Sequence, residues 1–375
     1  MLVGYDAKRA YLNNTGLGNY SRWLIKAMAS YYPEHRYVLY SPKIKENQHS
    51  SQLNKLPHTQ TVTPQSKFLL PLWRSKGIVA KLKADGVVLY HGLSHELPIG
   101  LNQSGIKSVL TVHDLIFMRF PQYFGWINRV IYKAKLQYAC KAADKIIAIS
   151  QTTKDDLVQL LKVDSANIEV IYQGCDPAFK LHQSDAQRKH VRKKYNLPKR
   201  YLLTVGTIEE RKNLLLLVKA LLHTKNSIPL YVVGKPTAYL NEVKKYISAH
   251  NLTDRIFFLH QVSFEELPAL YQMATLFVYP SRYEGFGIPI LEAINSGVPV
   301  IAAKGSCLEE AGGPDSVYVD PDDEYELARQ VNRLWNSPAI RQQMIAQGFN
   351  YAHNFDDEKL AAELMQLYTN TLNHA

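Results

Sequence analysis

Short apolar runs alternate with longer segments of helical period along the first half of the chain. The runs of four to five residues predict strands at 2–5, 37–40, 87–90, 108–112, 146–149 and 168–171. Between the first two strands, apolar residues from Tyr20 to Tyr31 recur at helical spacing and predict an amphipathic helix. Strands that alternate with helices are typical of a parallel sheet covered by helices.

The same alternation restarts after a polar, basic stretch at 176–200. It predicts strands at 201–205, 230–233, 256–259, 276–279 and 298–302. We therefore expect a first domain over 1–178, a linker with a short exposed helix over 179–200, and a second domain over 201–354. The remaining pattern is helical, and a last helix at about 355–375 is expected to pack back on the first domain.

The fold class predicted by this pattern is α/β, with two doubly wound, Rossmann-like domains that face each other across a cleft. Such sheets bind ligands beyond the carboxyl ends of their strands. A cleft between two of them is the natural place for an active site.

Length and composition exclude several classes of protein. The 375 residues exceed the ~250–300 at which one hydrophobic core stops growing, so a single small binding module is excluded. With 46% hydrophobic and 21% charged residues, the chain is neither disordered nor fibrous. Neither a signal peptide nor an apolar run of membrane-spanning length is visible. Cys140, Cys175 and Cys307 lie far apart, which favours a reduced, cytoplasmic setting.

The net charge of +11 favours an anionic partner, which could be nucleic acid, a lipid surface or a phosphate-bearing substrate. The basic run 188–200 contains Tyr195 as its one aromatic residue, so it lacks stacking platforms, and we expect no nucleic-acid binding. Segments 67–83 and 117–135 mix aromatic residues with cations. They fit either peripheral contact with an anionic inner membrane face or a core with a solvated surface.

The most informative stretch is 280–300, PSRYEGFGIPILEAINSGVPV, where a strand, a glycine-rich loop and a helix starting near Pro289 follow one another. Free amides and the positive end of a helix dipole suit a phosphate. Glu284 and Glu292, seven residues apart in this stretch, suit hydroxyl groups instead. The ligand that satisfies both is a sugar attached to a nucleoside diphosphate.

At these residues the sequence resembles the retaining glycosyltransferases of GT-B fold, family 4, and the resemblance extends along nearly the whole chain. It implies that Glu284 binds hydroxyls of the donor sugar and that Glu292 binds the ribose of the nucleotide. It also implies a set of further donor-binding residues, which are Gly206, Val262, Gly285, Phe286, Gly287 and Ile288.

The segment VGTIEERKN resembles the family's diphosphate-binding element, with Arg211 and Lys212 near the start of a helix. In the family, an arginine and a lysine there neutralise the leaving diphosphate. Lys212 matches directly. The family arginine is replaced by Thr207, so Arg211 is the expected substitute, although it could also be a solvated charge. Catalysis of this kind requires no metal or other cofactor.

In VHDLIFMRFP, the resemblance places His113 near the donor sugar and the acceptor, with Asp114 beside it. A histidine of near-neutral pKa could share a proton there, but a structural role is the alternative. Gly16 and Gly18 in NNTGLGNY resemble a glycine loop close to the donor phosphate, although a simple turn explains them nearly as well. Glu310 in SCLEEAGG matches a further family glutamate near the donor.

The expected activity is transfer of a hexose, with retention, from a nucleoside diphosphate sugar to a hydroxyl of a glycan or a polyprenyl-diphosphate-linked glycan. Similarity to bacterial mannosyltransferases of surface polysaccharide synthesis favours mannose from GDP-mannose. A UDP-sugar donor or a nucleotide-sugar epimerase of the same fold stays open. A dinucleotide-dependent dehydrogenase is disfavoured, because Tyr20 and Ser21 stand where its third glycine should fall.

Overall fold

The structure is a computed structural model that describes residues 1–45, 48–64, 73–225 and 227–373. Its contacts divide the chain into two units. The first unit is Met1–Gly174 together with the segment from Phe355 onward, and the second is Cys175–Asn354.

The first unit contains a parallel sheet. Its strands are β1 (Leu2–Asp6), β2 (Arg36–Tyr40), β3 (Thr59–Val62), β4 (Leu89–Gly92), β5 (Lys107–Val112), β6 (Lys145–Ala148) and β7 (Ile168–Val170). The helices before Gly174 are α1 (Lys8–Leu12), α2 (Gly16–Tyr31), α3 (Gln48–Asn54), α4 (Ile78–Ala84), α5 (Ile116–Arg119), α6 (Trp126–Ala142) and α7 (Gln151–Leu161). The strand order is β3-β2-β1-β4-β5-β6-β7, so the order reverses between β1 and β4.

The second unit repeats this design. Its strands are β8 (Leu202–Val205), β9 (Leu230–Val233), β10 (Ile256–Leu259), β11 (Leu276–Tyr279), β12 (Val300–Ala303) and β13 (Val317–Val319). Its helices are α8 (Asp185–Lys194), α9 (Leu214–Leu222), α10 (Tyr239–Ala249), α11 (Leu267–Met273), α12 (Ile288–Asn295), α13 (Leu308–Gly312), α14 (Glu324–Trp335) and α15 (Pro338–Ala352). The strand order is β10-β9-β8-β11-β12-β13, which reverses between β8 and β11. The expected doubly wound α/β architecture is confirmed.

Continuous apolar strands fit sheets that are covered on both faces. The central strands of the second unit, such as LFVY in β11 and VIAA in β12, are buried at every position. Helix α9, LLLLVKALL, contributes Leu217, Val218 and Leu221 to the core of that unit. In the first unit, Gly4 of β1 leaves room for the rings of Tyr40 and Tyr90, because a Cβ there would lie 3.1 and 3.2 Å from them.

The basic segment predicted as a linker over 179–200 lies in the second unit and carries α8. Ser184 caps α8 by accepting a hydrogen bond from the Gln187 amide at 3.2 Å. At the other end of α8, Glu266 accepts hydrogen bonds from Lys194 Nζ at 2.6 Å and from the Tyr195 hydroxyl at 2.7 Å. These contacts attach α8 to the start of α11.

The chain ends in α16 (Asp357–Asn373), which packs on α2 and β5 of the first unit. Its apolar face buries Leu360 and Leu364. Trp23 Nε1 donates a hydrogen bond to Asp357 Oδ1 at 2.8 Å, and the Tyr368 hydroxyl lies 2.6 Å from His91 Nδ1. Within the part of the chain that the structure describes, no helix combines the length and the apolar character that crossing a membrane requires.

Candidate active site

The strand order of the second unit reverses where β8 and β11 lie side by side. Gly206 follows β8 directly, and the loop at 280–287 follows β11. Open parallel sheets bind ligands at such a reversal, because the loops on either side of it diverge and leave a crevice. The residues expected to bind the diphosphate and the sugar therefore meet at one edge of one sheet.

The carboxylate of Glu284 is the centre of this cluster. Its Oε1 lies 2.6 Å from Lys212 Nζ and 2.9 Å from Arg211 Nη1. It also accepts hydrogen bonds from Ser281 Oγ at 2.6 Å and from the Tyr279 hydroxyl at 3.0 Å. Burial alone would raise the pKa of Glu284, but the charges of Lys212 and Arg211 lower that pKa to about 2. Glu284 is therefore ionised at neutral pH.

Arg211 joins the two loops of the cluster. Besides Glu284, its guanidinium contacts Glu209 Oε1 at 2.5 Å and donates a hydrogen bond to the carbonyl of Tyr283. The main-chain amide of Arg282 donates to the Arg211 carbonyl at 2.9 Å. The Arg211 side chain is 13% exposed, so it is a paired, largely buried cation rather than a solvated one.

Lys212 crosses the backbone of Gly206. A Cβ at Gly206 would lie 3.7 Å from Lys212 Cε, and its φ of +149° disfavours any residue with a side chain. The ammonium group donates a hydrogen bond to the Tyr279 hydroxyl and lies 5.0 Å from the centre of that ring. Asn213, with a φ of 57°, then turns the chain into α9. Lys212 thus reaches Tyr279, the last residue of β11.

A buried thiol stabilises the loop between Glu284 and α12 through hydrogen bonds. The single thiol hydrogen of Cys307 is shared between two carbonyl oxygens, that of Phe286 at 2.6 Å from Sγ and that of Glu284 at 3.0 Å. Burial raises the pKa of Cys307, so it stays a thiol and a donor. Gly287 precedes Ile288, the first residue of α12, and a Cβ there would lie 2.7 Å from the Cβ of Ala311. A glycine is therefore needed for α12 to pack against α13.

Glu292 lies on α12, half-buried, and its Oε2 accepts a hydrogen bond from the Tyr271 hydroxyl at 2.9 Å. Burial raises the pKa of Glu292 to about 8. The hydrogen bond from Tyr271 lowers this pKa, and the negative charge of Asp176 raises it. Glu292 is therefore mainly protonated at neutral pH.

The other residues predicted in the donor set lie at nearby strand ends or helices of the same unit. Gly285 lies in the loop after β11 and is half-buried. Val262 follows β10 and is half-buried. Glu310 lies in α13 next to Ala311, and its carbonyl accepts a hydrogen bond from the Tyr351 hydroxyl at 2.7 Å.

In the first unit, His113 follows β5 and is buried. Its Nε2 lies 2.9 Å from the carbonyl of Leu93, so Nε2 carries the hydrogen and Nδ1 is an acceptor. Its main-chain amide donates to His95 Nε2 at 2.7 Å, and the ring of Tyr20 packs edge-on at 4.6 Å. Burial, with a contribution from His95, lowers the pKa of His113 to about 3. The expectation of a near-neutral pKa is wrong, because the sequence does not show how deeply this strand end is buried.

The two glycines before α2 differ in their surroundings. A Cβ at Gly18 would lie 1.9 Å from the carbonyl oxygen of Asn13, whereas no atom lies within 4 Å of a Cβ at Gly16. A side chain at position 18 would collide with the main chain of Asn13, so a glycine there is explained by local packing. This agrees with the alternative that the glycines form a simple turn. Asp114 Oδ1 accepts a hydrogen bond from the Ile116 amide at 3.0 Å, which stabilises the start of α5.

The two segments expected to meet a membrane differ in what the structure describes. Residues 67–72 of the segment 67–83 lie outside the described residues. In segment 117–135, Phe117 packs in the core, whereas Trp126, Ile127 and Val130 on α6 are 70%, 56% and 57% exposed. Among the described residues, no three His, Cys, Asp or Glu side chains are grouped so that they could hold a metal ion.

Several residues of the site were missed by the sequence analysis. They are Glu209, Tyr271, Tyr279, Ser281 and Cys307, each of which contacts a predicted residue. Tyr279 ends the predicted strand 276–279 and Ser281 follows it, directly before the glycine-rich loop. This position in the sequence could have identified both as site residues.

Comparisons with known proteins agree on one family. The protein-family model described as Glycosyl transferases group 1 matches residues 185–351. The protein-family model described as Glycosyltransferase Family 4 matches residues 15–179. The chain is 29% identical to the O-antigen chain mannosyltransferase RfbU of Salmonella typhimurium, over 80% of this chain and 78% of that protein. It is 32% identical to the D-inositol 3-phosphate glycosyltransferase of Salinispora tropica, over 80% of this chain and 67% of that protein.

Solved structures agree on the fold. The crystal structure of Anabaena HepE in complex with UDP and glucose matches with a TM-score of 0.75 and 19% identity, over 98% of this chain and 99% of that chain. The two parallel sheets with interleaved helices and this likeness identify a two-domain GT-B fold.

Proposed function

We propose a donor, an acceptor and a stereochemical course for this chain, which belongs to the family 4 glycosyltransferases of GT-B fold. The chain transfers mannose from GDP-mannose, with retention of configuration, to a hydroxyl group of a glycan. The observation that carries this proposal is the contact of Glu284 with both Arg211 and Lys212 at the reversal point of the second sheet.

The cluster offers both kinds of partner that a nucleoside diphosphate sugar needs. Lys212 and Arg211 supply positive charge for the diphosphate, whose negative charge grows as the sugar departs. Glu284 is ionised, so it accepts hydrogen bonds from sugar hydroxyls when the donor displaces part of its present contacts. Glu292 accepts hydrogen bonds from the ribose after it loses its proton.

Retention is proposed to occur without a covalent enzyme intermediate. The acceptor oxygen bonds to the anomeric carbon on the face from which the diphosphate departs, and the departing phosphate oxygen takes the acceptor proton. Glu284 is already paired with two cations, which makes it a poor nucleophile. His113, neutral and with Nδ1 as an acceptor, is proposed to orient a substrate hydroxyl. NMR of the product's anomeric centre tests retention, and a trapped sugar adduct on any carboxylate would refute this course.

Mannose is supported by the relative named as an O-antigen chain mannosyltransferase. The same relative supports a role in surface polysaccharide synthesis and a glycan as the acceptor. We propose that this glycan is carried on a polyprenyl diphosphate. A thermal-shift screen of GDP-mannose, UDP-glucose and UDP-galactose tests the donor, because a ligand that binds the native state raises the melting temperature. Stabilisation by a UDP-sugar alone would refute mannose and keep the transferase. An isomerised sugar nucleotide formed without acceptor would favour the epimerase.

We propose that the protein is cytoplasmic and contacts the inner membrane face, and the exposed side chains of α6 support the membrane contact. In this helix, the exposed Trp126, Ile127 and Val130 lie beside the cations Arg129 and Lys133, which is the composition of an interfacial helix. Sedimentation with phosphatidylglycerol vesicles tests this contact, and phosphatidylcholine vesicles are the uncharged comparison.

The variant W126S with I127S should lose binding to the anionic vesicles. The matched control is L181S, because Leu181 is 64% exposed and lies in the second unit. Equal sedimentation of both variants and the unchanged protein would refute contact through α6.

A further inference from the structure

Four polar side chains form a continuous hydrogen-bonded network through the core of the first unit. They come from α2, β4, β5 and α16, and they are Tyr20, His91, Thr111 and Tyr368. His91 Nδ1 lies 2.6 Å from the Tyr368 hydroxyl, and His91 Nε2 lies 2.7 Å from Thr111 Oγ1. The Tyr20 hydroxyl lies 3.1 Å from the same threonine oxygen. These four residues, called the buried network below, join the last helix of the chain to α2.

The buried network has no access to solvent. The most exposed of its members, Tyr20, is 2% exposed. Burying a polar group costs free energy that its hydrogen bonds offset only in part, and apolar side chains of the same shape would fill the same core without that cost. Space filling alone therefore does not explain why polar residues occupy these four positions.

The hydrogen bonds of the network have a single donor direction. Burial lowers the pKa of His91 to about 3, so its imidazole is neutral, with one donor and one acceptor nitrogen. The Tyr368 hydroxyl donates to the Tyr5 hydroxyl at 3.4 Å, so it accepts from His91 Nδ1. His91 Nε2 then accepts from Thr111, and Thr111 accepts from Tyr20. Each hydrogen bond thus depends on the next, from Tyr20 to the C-terminal helix.

The network ends at the ring of His113. Thr111 and His113 are two residues apart at the end of β5, and side chains at that spacing lie on the same face of a strand. Tyr20 contacts both of them. Its hydroxyl reaches Thr111, while its ring meets the His113 ring edge-on, with 4.6 Å between the ring centres and 89° between the planes. The hydrogen bond to Thr111 therefore determines where the Tyr20 ring lies against His113.

The orientation of His113 depends on such neighbours. Its Nε2 donates to the Leu93 carbonyl, but one hydrogen bond does not by itself fix the tilt of a ring. The rings of Tyr20 and His95, with centres at 4.6 and 5.4 Å, restrict that tilt. A tilt of the imidazole would move Nδ1, the atom proposed to accept from a substrate hydroxyl. A misplacement of about 1 Å can lower a rate by about 10²-fold.

We propose that Tyr20 is a positioning residue for His113. The other members of the network, Thr111, His91 and Tyr368, hold Tyr20 in its place. The inference rests on the proposed function, in which His113 orients a substrate hydroxyl. It gives the C-terminal helix α16 a part in turnover besides its packing on α2 and β5. Each member of the network acts on the substrate through His113 and not by contact with it.

NMR of the His113 ring tests the proposal without reference to activity. Long-range hydrogen–nitrogen correlation spectra of the full chain, labelled at its histidines, report the tautomer and the surroundings of each imidazole. The signals of His113 are those that disappear in H113N. T111V removes the threonine hydroxyl but keeps the shape of the side chain, and Y368F breaks the network at its far end. Both variants should shift or broaden the His113 signals, and so should Y20F.

Two controls separate the network from a general loss of stability. T111S retains the hydroxyl and should keep the His113 signals of the unchanged protein. Y40F removes another buried hydroxyl of the first unit, which donates to Asp85 Oδ2 at 2.7 Å and lies outside the network. It should also leave the His113 signals unchanged. His113 signals that stay the same in Y20F, T111V and Y368F would overturn the proposal.

A double-mutant cycle tests the consequence for turnover. The substrates are GDP-mannose and a mannose disaccharide, and GDP release is measured. Y368F and T111V should each lower kcat about five- to tenfold and leave KM for GDP-mannose within about twofold, because one neutral hydrogen bond is lost. In an H113A background neither substitution should lower kcat further, because the network acts through His113. An equal loss in both backgrounds would overturn the proposal.

The same variants separate this proposal from the proposed function. A fully active H113A would refute the role of His113 in turnover, while shifted His113 signals in Y368F and T111V would still support the positioning of its ring. A weakly active H113A, together with Y20F, T111V and Y368F that turn over as Y40F does, would refute the positioning role and keep both the transferase and the role of His113.

Discussion

The ammonium group of Lys212 lies 2.6 Å from the carboxylate of Glu284, although the two residues belong to loops that follow different strands. The adjacency of β8 and β11 in the sheet makes the contact. Each charge thus compensates the other. A donor that places its diphosphate beside Lys212 and its sugar beside Glu284 replaces one strong contact by two, which makes this pair the centre of the proposed donor site.

The charge of Glu284 is expected to matter for turnover. E284Q keeps the shape of the side chain but removes the charge that holds Lys212 and Arg211 and accepts from the sugar hydroxyls. We expect kcat to fall by about 100-fold or more, in line with the loss of one preorganised electrostatic contact. E309Q, at an exposed glutamate of α13, is the control. Steady-state rates of E284Q within about twofold of the unchanged protein would contradict the role.

Glu292 is expected to make donor binding depend on pH. In the proposed complex the ribose hydroxyls donate to the ionised carboxylate, so the proton that Glu292 holds below its pKa of about 8 leaves when the donor binds. Affinity for GDP-mannose should therefore rise roughly tenfold per pH unit from about pH 6 until the pH reaches this pKa. GDP-mannose is the suitable ligand because its phosphates are diesters that do not titrate in this range. E292Q should show weaker and pH-independent binding.

The same group affects stability in the opposite direction. The pKa of Glu292 is raised in the folded state, so its contribution to the free energy of unfolding is complete below the ordinary carboxyl pKa and is lost as the pH rises through about 8. E292Q should flatten the decline of the melting temperature over that interval. An unchanged pH dependence of both affinity and melting temperature in E292Q would refute the ionisation assigned to it.

His113 is expected not to titrate in the physiological range. Burial lowers its pKa to about 3, so replacement should lower kcat without moving the pH profile of kcat/KM between about pH 5 and 8. H113N retains a side-chain acceptor and should keep more activity than H113A. Loss of an apparent pKa near 6.5 in H113N would show that the imidazole titrates during turnover.

We predict that turnover is independent of metal ions. In the proposed donor complex, the two cations Arg211 and Lys212 provide the positive charge that a divalent ion provides in other transferases. Rates of donor consumption should be unchanged after dialysis against EDTA. Loss of turnover that magnesium or manganese restores would contradict this mechanism.

The sequence pattern predicted central strands better than edge strands. The apolar runs of the central strands β9 and β11 have the predicted bounds, since a fully buried strand leaves an uninterrupted apolar run. The edge strand β10 also has its predicted bounds, because its sequence IFFL is apolar although it is partly exposed. The pattern did not predict β3, whose sequence TQTV is half polar and partly exposed at the sheet edge. It also did not predict β13, which has three residues. An edge strand is partly solvated, so its sequence resembles that of a loop.

Site residues that lie together in one segment of the sequence could be predicted. Contacts between residues of two distant segments could not. The pairing of Glu284 with the thiol of Cys307 through the main chain depends on how β11 and β12 lie together. The interpretation of the run 188–200 as solvated missed that Lys194 contacts Glu266, which comes 72 positions later. Such contacts leave no spacing signature within either segment.

The contact between Lys194 and Glu266 makes Lys194 unsuitable as a control for the replacement of Lys212. Lys194 holds α8 to Glu266, so replacing it would affect stability as well as charge. Lys189 and Lys193 are exposed on the same helix and form no ion pair within the described residues. Charges of this kind are screened beyond a Debye length of ~8 Å. K189A with K193A therefore removes charge without removing a structural contact.

The rate of nucleoside diphosphate release from GDP-mannose, with acceptor present, is the most direct test of the donor site. K212A should lower this rate by about 10²–10³-fold while its melting temperature shows that it remains folded. K189A with K193A should stay within about twofold of the unchanged protein. Equal loss in both variants would show that the basic helix, not the Glu284 cluster, carries the activity. Full activity of K212A would refute the assignment of Lys212 to the leaving diphosphate.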